Sequence, residues 1–292
     1  MLKHRVLTAV VGLPLVLALL TQAPMDWIQC FFLLLSMLCV WEISRFFMPA
    51  LVRRLASKKG PSSPFYQGQE SLSVLWTLGL CLLNALLLGT FMLARADLGA
   101  ALSFCFALIF IAGVFVARNN IERGIAISSG LLMSLCYSSI PWLALIEIQE
   151  QKTDIHSGYI LVLLAIVMGN DTGAYFAGTL FGRRKLAPEL SPKKSWEGFF
   201  GGLVFGILLA LLVARVINLP DTWLMILALS LIGTLAGTLG DLIESALKRF
   251  AEIKDSGALF PGHGGMLDRA DSILIAAPLF LVVLKLGRTL YP

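Results

Sequence analysis

The sequence predicts an all-α protein, a polytopic bundle of about nine transmembrane helices with a polar cavity at its cytoplasmic face. Three observations predict it. The chain is 58% hydrophobic and only 14% charged, whereas a soluble domain carries roughly a quarter of its residues charged. Its apolar residues fall in blocks of about 15–25, the length that crosses a hydrocarbon layer roughly 30 Å thick. Its basic residues are sorted between alternate connections, as in a protein oriented by the positive-inside rule. Because lipid offers backbone groups no partners, such spans must be helical.

The spans are expected near 6–21, 27–46, 73–94, 98–117, 125–147, 159–181, 197–217, 222–240 and 272–287. Lys3 and Arg5 before a short apolar run imitate a secretory signal, with Ala23 as the cleavage residue. Pro24 follows it and should block cleavage, so the segment reads as a retained helix. The ninth block is short and contains Pro278. With the N-terminus in the cytoplasm, 18 of the 23 Lys and Arg fall in or at the edge of cytoplasmic segments. The exceptions are Arg95, Lys152, Arg215, Lys285 and Arg288. The C-terminus is then external, and the protein is expected in the cell (inner) membrane.

The 5 cysteines all lie in expected spans without a CxxC pair, which suits packing and suggests neither a zinc site nor a disulfide framework. The net charge of +5 is accounted for by membrane orientation, so no nucleic-acid partner is expected. Gly198, Gly202 and Gly206, and then Gly233 and Gly237, recur four apart. That spacing lets helix backbones touch, within one subunit or between the subunits of a homodimer, and both remain open.

The two halves differ. Residues 1–150 read as N-terminal transmembrane helices (spans 1–5) joined by ordinary basic loops, including Lys58-Lys59-Gly60-Pro61, and nothing there looks like chemistry. Residues 151–292 (spans 6–9) hold nearly every unusual polar residue, in three clusters on the cytoplasmic side.

The first cluster is Gly169-Asn170-Asp171-Thr172-Gly173. A carboxylate inside a span is costly and points to function, unless Asp171 merely pairs with a cation on a neighbouring helix. The second is Ser191-Pro192-Lys193-Lys194-Ser195-Trp196-Glu197-Gly198. Hydroxyls, ammonium groups and a helix N-terminus there could hold an anion, although the positive-inside rule alone also explains the lysines.

The third cluster runs from Asp241 to Asp271. If the eighth span continues as a helix, Asp241, Glu244, Ser245 and Lys248 share one face, and Glu244 and Lys248 form an i, i+4 pair. Residues 241–271 nevertheless hold six acidic residues against four basic ones, an unexpected balance beside anionic headgroups. Carboxylates holding a hard divalent cation, with Lys and Arg holding phosphates, would account for it, and magnesium suits such a site. The run Pro261-Gly262-His263-Gly264-Gly265 would let backbone approach a phosphate closely.

The stretch Ser245-x-x-Lys248-Arg249-x4-Lys254-Asp255-x-Gly257-x5-His263-Gly264-Gly265-x2-Asp268-Arg269-x-Asp271 resembles the signature of the phosphatidate cytidylyltransferase (CDP-diacylglycerol synthase) family. Asn170-Asp171 and the Ser191–Gly198 segment resemble that family's other cytoplasmic motifs, so the likeness spans roughly residues 165–275. It implies transfer of CMP from CTP to phosphatidic acid, with release of pyrophosphate, by a membrane enzyme whose lipid substrate keeps its acyl chains in the bilayer.

On that resemblance Asp241 and Asp268 bind catalytic magnesium, with a second cation left open and Asp171 as a further ligand. Lys194, Lys248, Arg249 and Arg269 neutralise phosphates, and Lys193 and Lys254 join them at the substrate. Ser191, Ser195, His263, Gly264 and Gly265 shape the pocket. A phosphotransferase using CDP-activated alcohols would carry an Asp-Gly-x2-Ala-Arg pattern, which is absent. A transporter would place its polar site near the midplane between matching halves, whereas these residues gather in one half and at one face.

Overall fold

The computed structural model of the chain describes residues 2–57, 69–94, 106–111, 114, 117–118, 121–151, 153, 157–259 and 264–290. Among them the order is α1 (Leu2–Gln22), α2 (Met25–Ser57), α3 (Gln69–Ala94), α4 (Ile121–Ser138), α5 (Ile140–Gln149) and α6 (Gly158–Phe181). Then come β1 (Lys185–Ala187), β2 (Ser191–Ser195), α7 (Trp196–Val216), α8 (Trp223–Phe250) and α9 (Leu267–Leu290).

Six helical stretches are long and apolar enough to cross a membrane: Met25–Leu51, Ile127–Gln149, Gly158–Phe181, Trp196–Val216, Trp223–Phe250 and Leu267–Thr289. This is a helical membrane protein. Two shorter apolar helical stretches, Gly12–Gln22 and Thr77–Gly89, fall where the first and third spans were expected. Most of the fourth expected span lies outside the described residues, so the count of about nine is not reached among them.

Two boundaries differ from expectation for physical reasons. The ninth span is a full helix of 24 residues that begins inside the charged signature, because Leu267, Ala270 and Leu274 bury one face of that turn while Asp268 and Arg269 project from it. Between α6 and α7 the chain is not a plain loop but an antiparallel hairpin, with Lys185 opposite Ser195 and Ala187 opposite Ser191. The turn at Pro188-Glu189-Leu190 reverses the chain, and Glu197 fastens the hairpin's base by accepting the N–H groups of Arg183 and Arg184 at 3.1–3.2 Å.

The C-terminal helices meet backbone to backbone. A Cβ on Gly173 would lie 2.5 Å from the Gly201 carbonyl, and one on Gly202 would lie 2.7 Å from the Asn170 carbonyl, so α6 and α7 fit only because neither residue has a side chain. Gly206 faces Ile166 and Gly233 packs on the Ile166 side chain. The expected small-residue stripes therefore pack α6, α7 and α8 within one chain. Gly240 on α8 touches the Asp271 carbonyl on α9 in the same way, which sets the separation of the two acidic helix ends.

Around these contacts α2, α5 and α9 bury Ile28, Ile43, Ile146 and Phe280 almost completely. The outer faces of α6 and α7 instead expose Phe176, Leu180, Phe200, Val204, Leu208 and Leu212, a surface suited to lipid.

Candidate active site

Helix α6, strand β2 and helix α8 line an open cavity of about 210 Å³. Asn170 and Asp171 line it from α6, Lys193, Lys194 and Ser195 from β2, and Thr238 and Asp241 from α8. The hairpin brings β2 against α8, so the Lys194 ammonium forms an ion pair with Asp241. Ser195 is buried, and its hydroxyl accepts the Gly198 N–H at 3.1 Å as the N-cap of α7. The expected pocket hydroxyl thus has a structural task, and it fixes where the lysine pair ends and α7 begins.

A second cluster forms where α8 ends and α9 begins. Helix α8 closes with Glu252 in the left-handed region, and the Ile253 N–H returns to the Lys248 carbonyl at 3.0 Å. The Lys248 ammonium lies 2.6 Å from Glu244 and 2.6 Å from Asp268. The other oxygen of Asp268 accepts the Ser256 N–H at 2.8 Å, the Ser256 hydroxyl at 2.9 Å and the Gly265 N–H at 2.8 Å. Gly264 has φ +81°, and a Cβ there would lie 2.5 Å from Asp268. Gly264 thus makes room for a protein carboxylate.

The two clusters meet through carboxylates. Asp271, one turn beyond Asp268, sets its side chain against Asp241, and Asp171 lies within electrostatic reach of Asp241, Lys194 and Arg269. The structure therefore brings Asp171, Lys193, Lys194, Ser195 and Asp241 to one cavity. Asp268 and Lys248 stand outside its lining and pair with each other. Arg249, Lys254 and Arg269 are exposed beside this end of the bundle, Ser191 is half-buried at the start of β2, and His263 lies outside the described residues.

The donor set fits magnesium, which takes one or two carboxylates and completes its octahedron with water and substrate phosphates. Asp241 and Asp271 adjoin, and Asn170 Oδ1, buried at the cavity wall, accepts no hydrogen bond among the described residues. No group of three His, Cys, Asp or Glu forms a complete cage among the described residues. Asp268 has four donors, three on one oxygen and the Lys248 ammonium on the other.

Two residues were missed in the sequence. Asp271 appeared in the acidic balance and at the end of the signature, but was given no role at the site. Glu42, on α2 in the half where no chemistry was expected, is almost fully buried and accepts hydrogen bonds from Met266 N–H at 2.8 Å, Leu267 N–H at 2.8 Å and the Ser256 hydroxyl at 3.1 Å. Its only sequence signal was a carboxylate inside a span.

The fold and this site define a helical membrane protein with a cavity built from carboxylates and ammonium groups. The chain belongs to the cytidylyltransferase family, whose model matches residues 3–287. It is 46% identical over 128 residues to a phosphatidate cytidylyltransferase of Bacillus subtilis, across 44% of this chain and 48% of that protein. It is 42% identical over 154 residues to one of Staphylococcus epidermidis, across 52% and 57%. A Staphylococcus aureus protein of the same name is 40% identical over 153 residues. The matched stretches span about half the length of these relatives.

Proposed function

We propose that the protein transfers CMP from CTP to phosphatidic acid at the cytoplasmic face of the cell inner membrane, giving CDP-diacylglycerol and pyrophosphate. The observation that carries this reading is the cavity itself, where Lys193 and Lys194 face Asp241 at one end of a membrane bundle. The signature residues and the family membership support the same substrates.

In this mechanism a phosphatidate oxygen attacks the α-phosphorus of CTP in line. The attacking group is already an anion near neutral pH, so the protein needs no strong general base; its tasks are alignment and charge neutralisation. Lys193 and Lys194 sit where CTP phosphates enter from the hairpin side, and the exposed Arg249, Lys254 and Arg269 meet the phosphates from the α8–α9 side. Lys194 exchanges its Asp241 partner for a phosphate oxygen as substrate binds.

Asp241 and Asp271 would hold magnesium, with Asp171 within electrostatic reach of the same site. When bound, the metal offsets the charge of the triphosphate and of the departing pyrophosphate. Lys248 and Asp268 keep the start of α9 in register with the end of α8. His263 orients this loop or a phosphate and is not the base.

The test is to incubate purified protein in mixed micelles with CTP, phosphatidic acid and magnesium. Pyrophosphate and CDP-diacylglycerol should form in equal amounts and only with all three additions. Absence of both products from well-folded protein would sink this reading.

A further inference from the structure

Glu42 joins the N-terminal helices to the signature loop. It lies on α2, yet its carboxylate receives the first two N–H groups at the start of α9, from Met266 and Leu267, at 2.8 Å each. The same carboxylate lies 3.1 Å from the Ser256 hydroxyl, whose single proton is shared with Asp268 at 2.9 Å. A buried anion at a helix N-terminus is stabilised both by these donors and by the helix dipole.

The loop is shaped around this carboxylate. A Cβ at Gly265 would lie 2.4 Å from Glu42 Oε2 and 2.4 Å from the Ser256 hydroxyl, and one at Gly257 would lie 2.7 Å from Glu42 Oε1. Two glycines of the signature thus leave space for a residue more than 200 positions earlier. Through Ser256 the contact reaches Asp268, which holds Lys248. Through the start of α9 it sets the position of Asp271, the neighbour of Asp241.

We propose that Glu42 is a positioning residue for the reaction: it clamps Ser256 to Met266 and the first turn of α9, and so fixes Asp271 against Asp241. The N-terminal helices are then part of the catalytic apparatus. The consequence for turnover rests on the proposed function, whereas the clamp itself does not.

Two readouts keep these apart, applied to the full-length protein in detergent. Glu42→Gln keeps the shape but sets an amide donor against a backbone N–H. Hydrogen exchange at the Met266 and Leu267 amides should become at least about tenfold faster, the loss expected when a buried charged acceptor is removed. The rest of α2 should exchange as before. In the turnover assay with CTP and phosphatidic acid, kcat should fall at least about tenfold while both KM values change less than about threefold, because alignment is lost and binding is not.

Ser256→Ala should reproduce a smaller form of both effects, and adding it to Glu42→Gln should cost less than the sum, since one chain of contacts is broken twice. If Glu42→Gln does not fold, Ser256→Ala carries both readouts. Ser36→Ala, which removes another buried hydroxyl from α2 bonded to Asn84, is the control and should leave kcat unchanged. Unchanged exchange at Met266 and Leu267 would overturn the clamp. Faster exchange with normal kcat would overturn the positioning role. A wild-type protein that makes no product would sink the proposed function instead, and the exchange data would still decide the clamp.

Discussion

Lys248 and Asp268, twenty residues apart, form an ion pair of 2.6 Å that ties the last turn of α8 to the first turn of α9. Lys248 also holds Glu244 at 2.6 Å, and the side chains are only 15%, 9% and 1% exposed for Lys248, Asp268 and Glu244. One ammonium thus serves two largely buried carboxylates, and removing it leaves like charges facing each other away from water. Breaking a buried pair from one side typically costs about 3–5 kcal/mol.

Lys248→Met should therefore lower the thermal midpoint in detergent by on the order of 5 °C or more. Adding Glu244→Gln should restore part of the loss. Arg249→Ala, one residue further on and exposed, should leave the midpoint nearly unchanged while lowering turnover. A Lys248→Met protein of normal stability but without activity would place that ammonium on a substrate phosphate after all.

A separate prediction concerns the metal. Asp241 faces the cavity beside Asp271, whereas both oxygens of Asp268 are already engaged by Lys248, Ser256 and Gly265. Asp241→Asn should reduce turnover and raise the magnesium concentration for half-maximal rate by roughly tenfold or more, the effect of losing one charged ligand. Asp268→Asn should reduce turnover and thermal stability without that shift. Equal shifts in both variants would place Asp268 in the coordination shell, and no shift in either would remove the metal from this site.

Hydropathy made α6, α7 and α8 legible to within a residue or two at their starts, because lipid burial is decided by composition alone. It misplaced the start of α9, since Asp268-Arg269-Ala270-Asp271 reads as charged loop when one cannot see that Leu267 and Ala270 are buried beneath it. The hairpin was hidden because Ser191-Pro192-Lys193-Lys194-Ser195 has none of the β-branched alternation that marks a strand. At the site, Asp171 and Asp241 were recognisable as carboxylates in or beside apolar spans, and Lys193 and Lys194 as a basic pair before a helix start. The partner of each charge was not. Glu42 meets Ser256 across 214 positions, and only the packing of α2 against the C-terminal helices brings them together.

Orientation gives another check. The β1–β2 hairpin and the cavity lie at one end of α6, while its first turn is held at the other end by Tyr159, which bonds Asp221 and receives Arg288 at 2.8 Å. A reporter inserted after Leu186 should behave as cytoplasmic. One inserted near Lys152, outside the described residues, should behave as external, because the basic residues concentrate on the hairpin side. Accessibility of single introduced cysteines to a membrane-impermeant thiol reagent, in intact and in opened cells, would measure both. Exchanged labels would put the cavity on the outer face, away from any cytoplasmic nucleotide.

The contact between α6 and α7 yields a prediction of opposite sign at two glycines. In an exposed helix, replacing Gly by Ala ordinarily stabilises by about 0.5–1 kcal/mol, because the unfolded chain loses freedom. Gly79 on α3 has nothing within 4 Å of a new methyl group, so Gly79→Ala should be neutral or slightly stabilising. At Gly202 the methyl would stand 2.4 Å from Asn170 Oδ1 and 2.7 Å from the Asn170 carbonyl. The carbonyl cannot yield without moving α6, and overpacking of this kind costs about 1–3 kcal/mol. Asn170 and Asp171 line the cavity on that same turn, so Gly202→Ala should lower the thermal midpoint and turnover together. Gly79→Ala should change neither. A Gly202→Ala protein as stable and active as the wild type would mean that α6 and α7 do not touch backbone to backbone at this level, and that the cavity wall is held by something else.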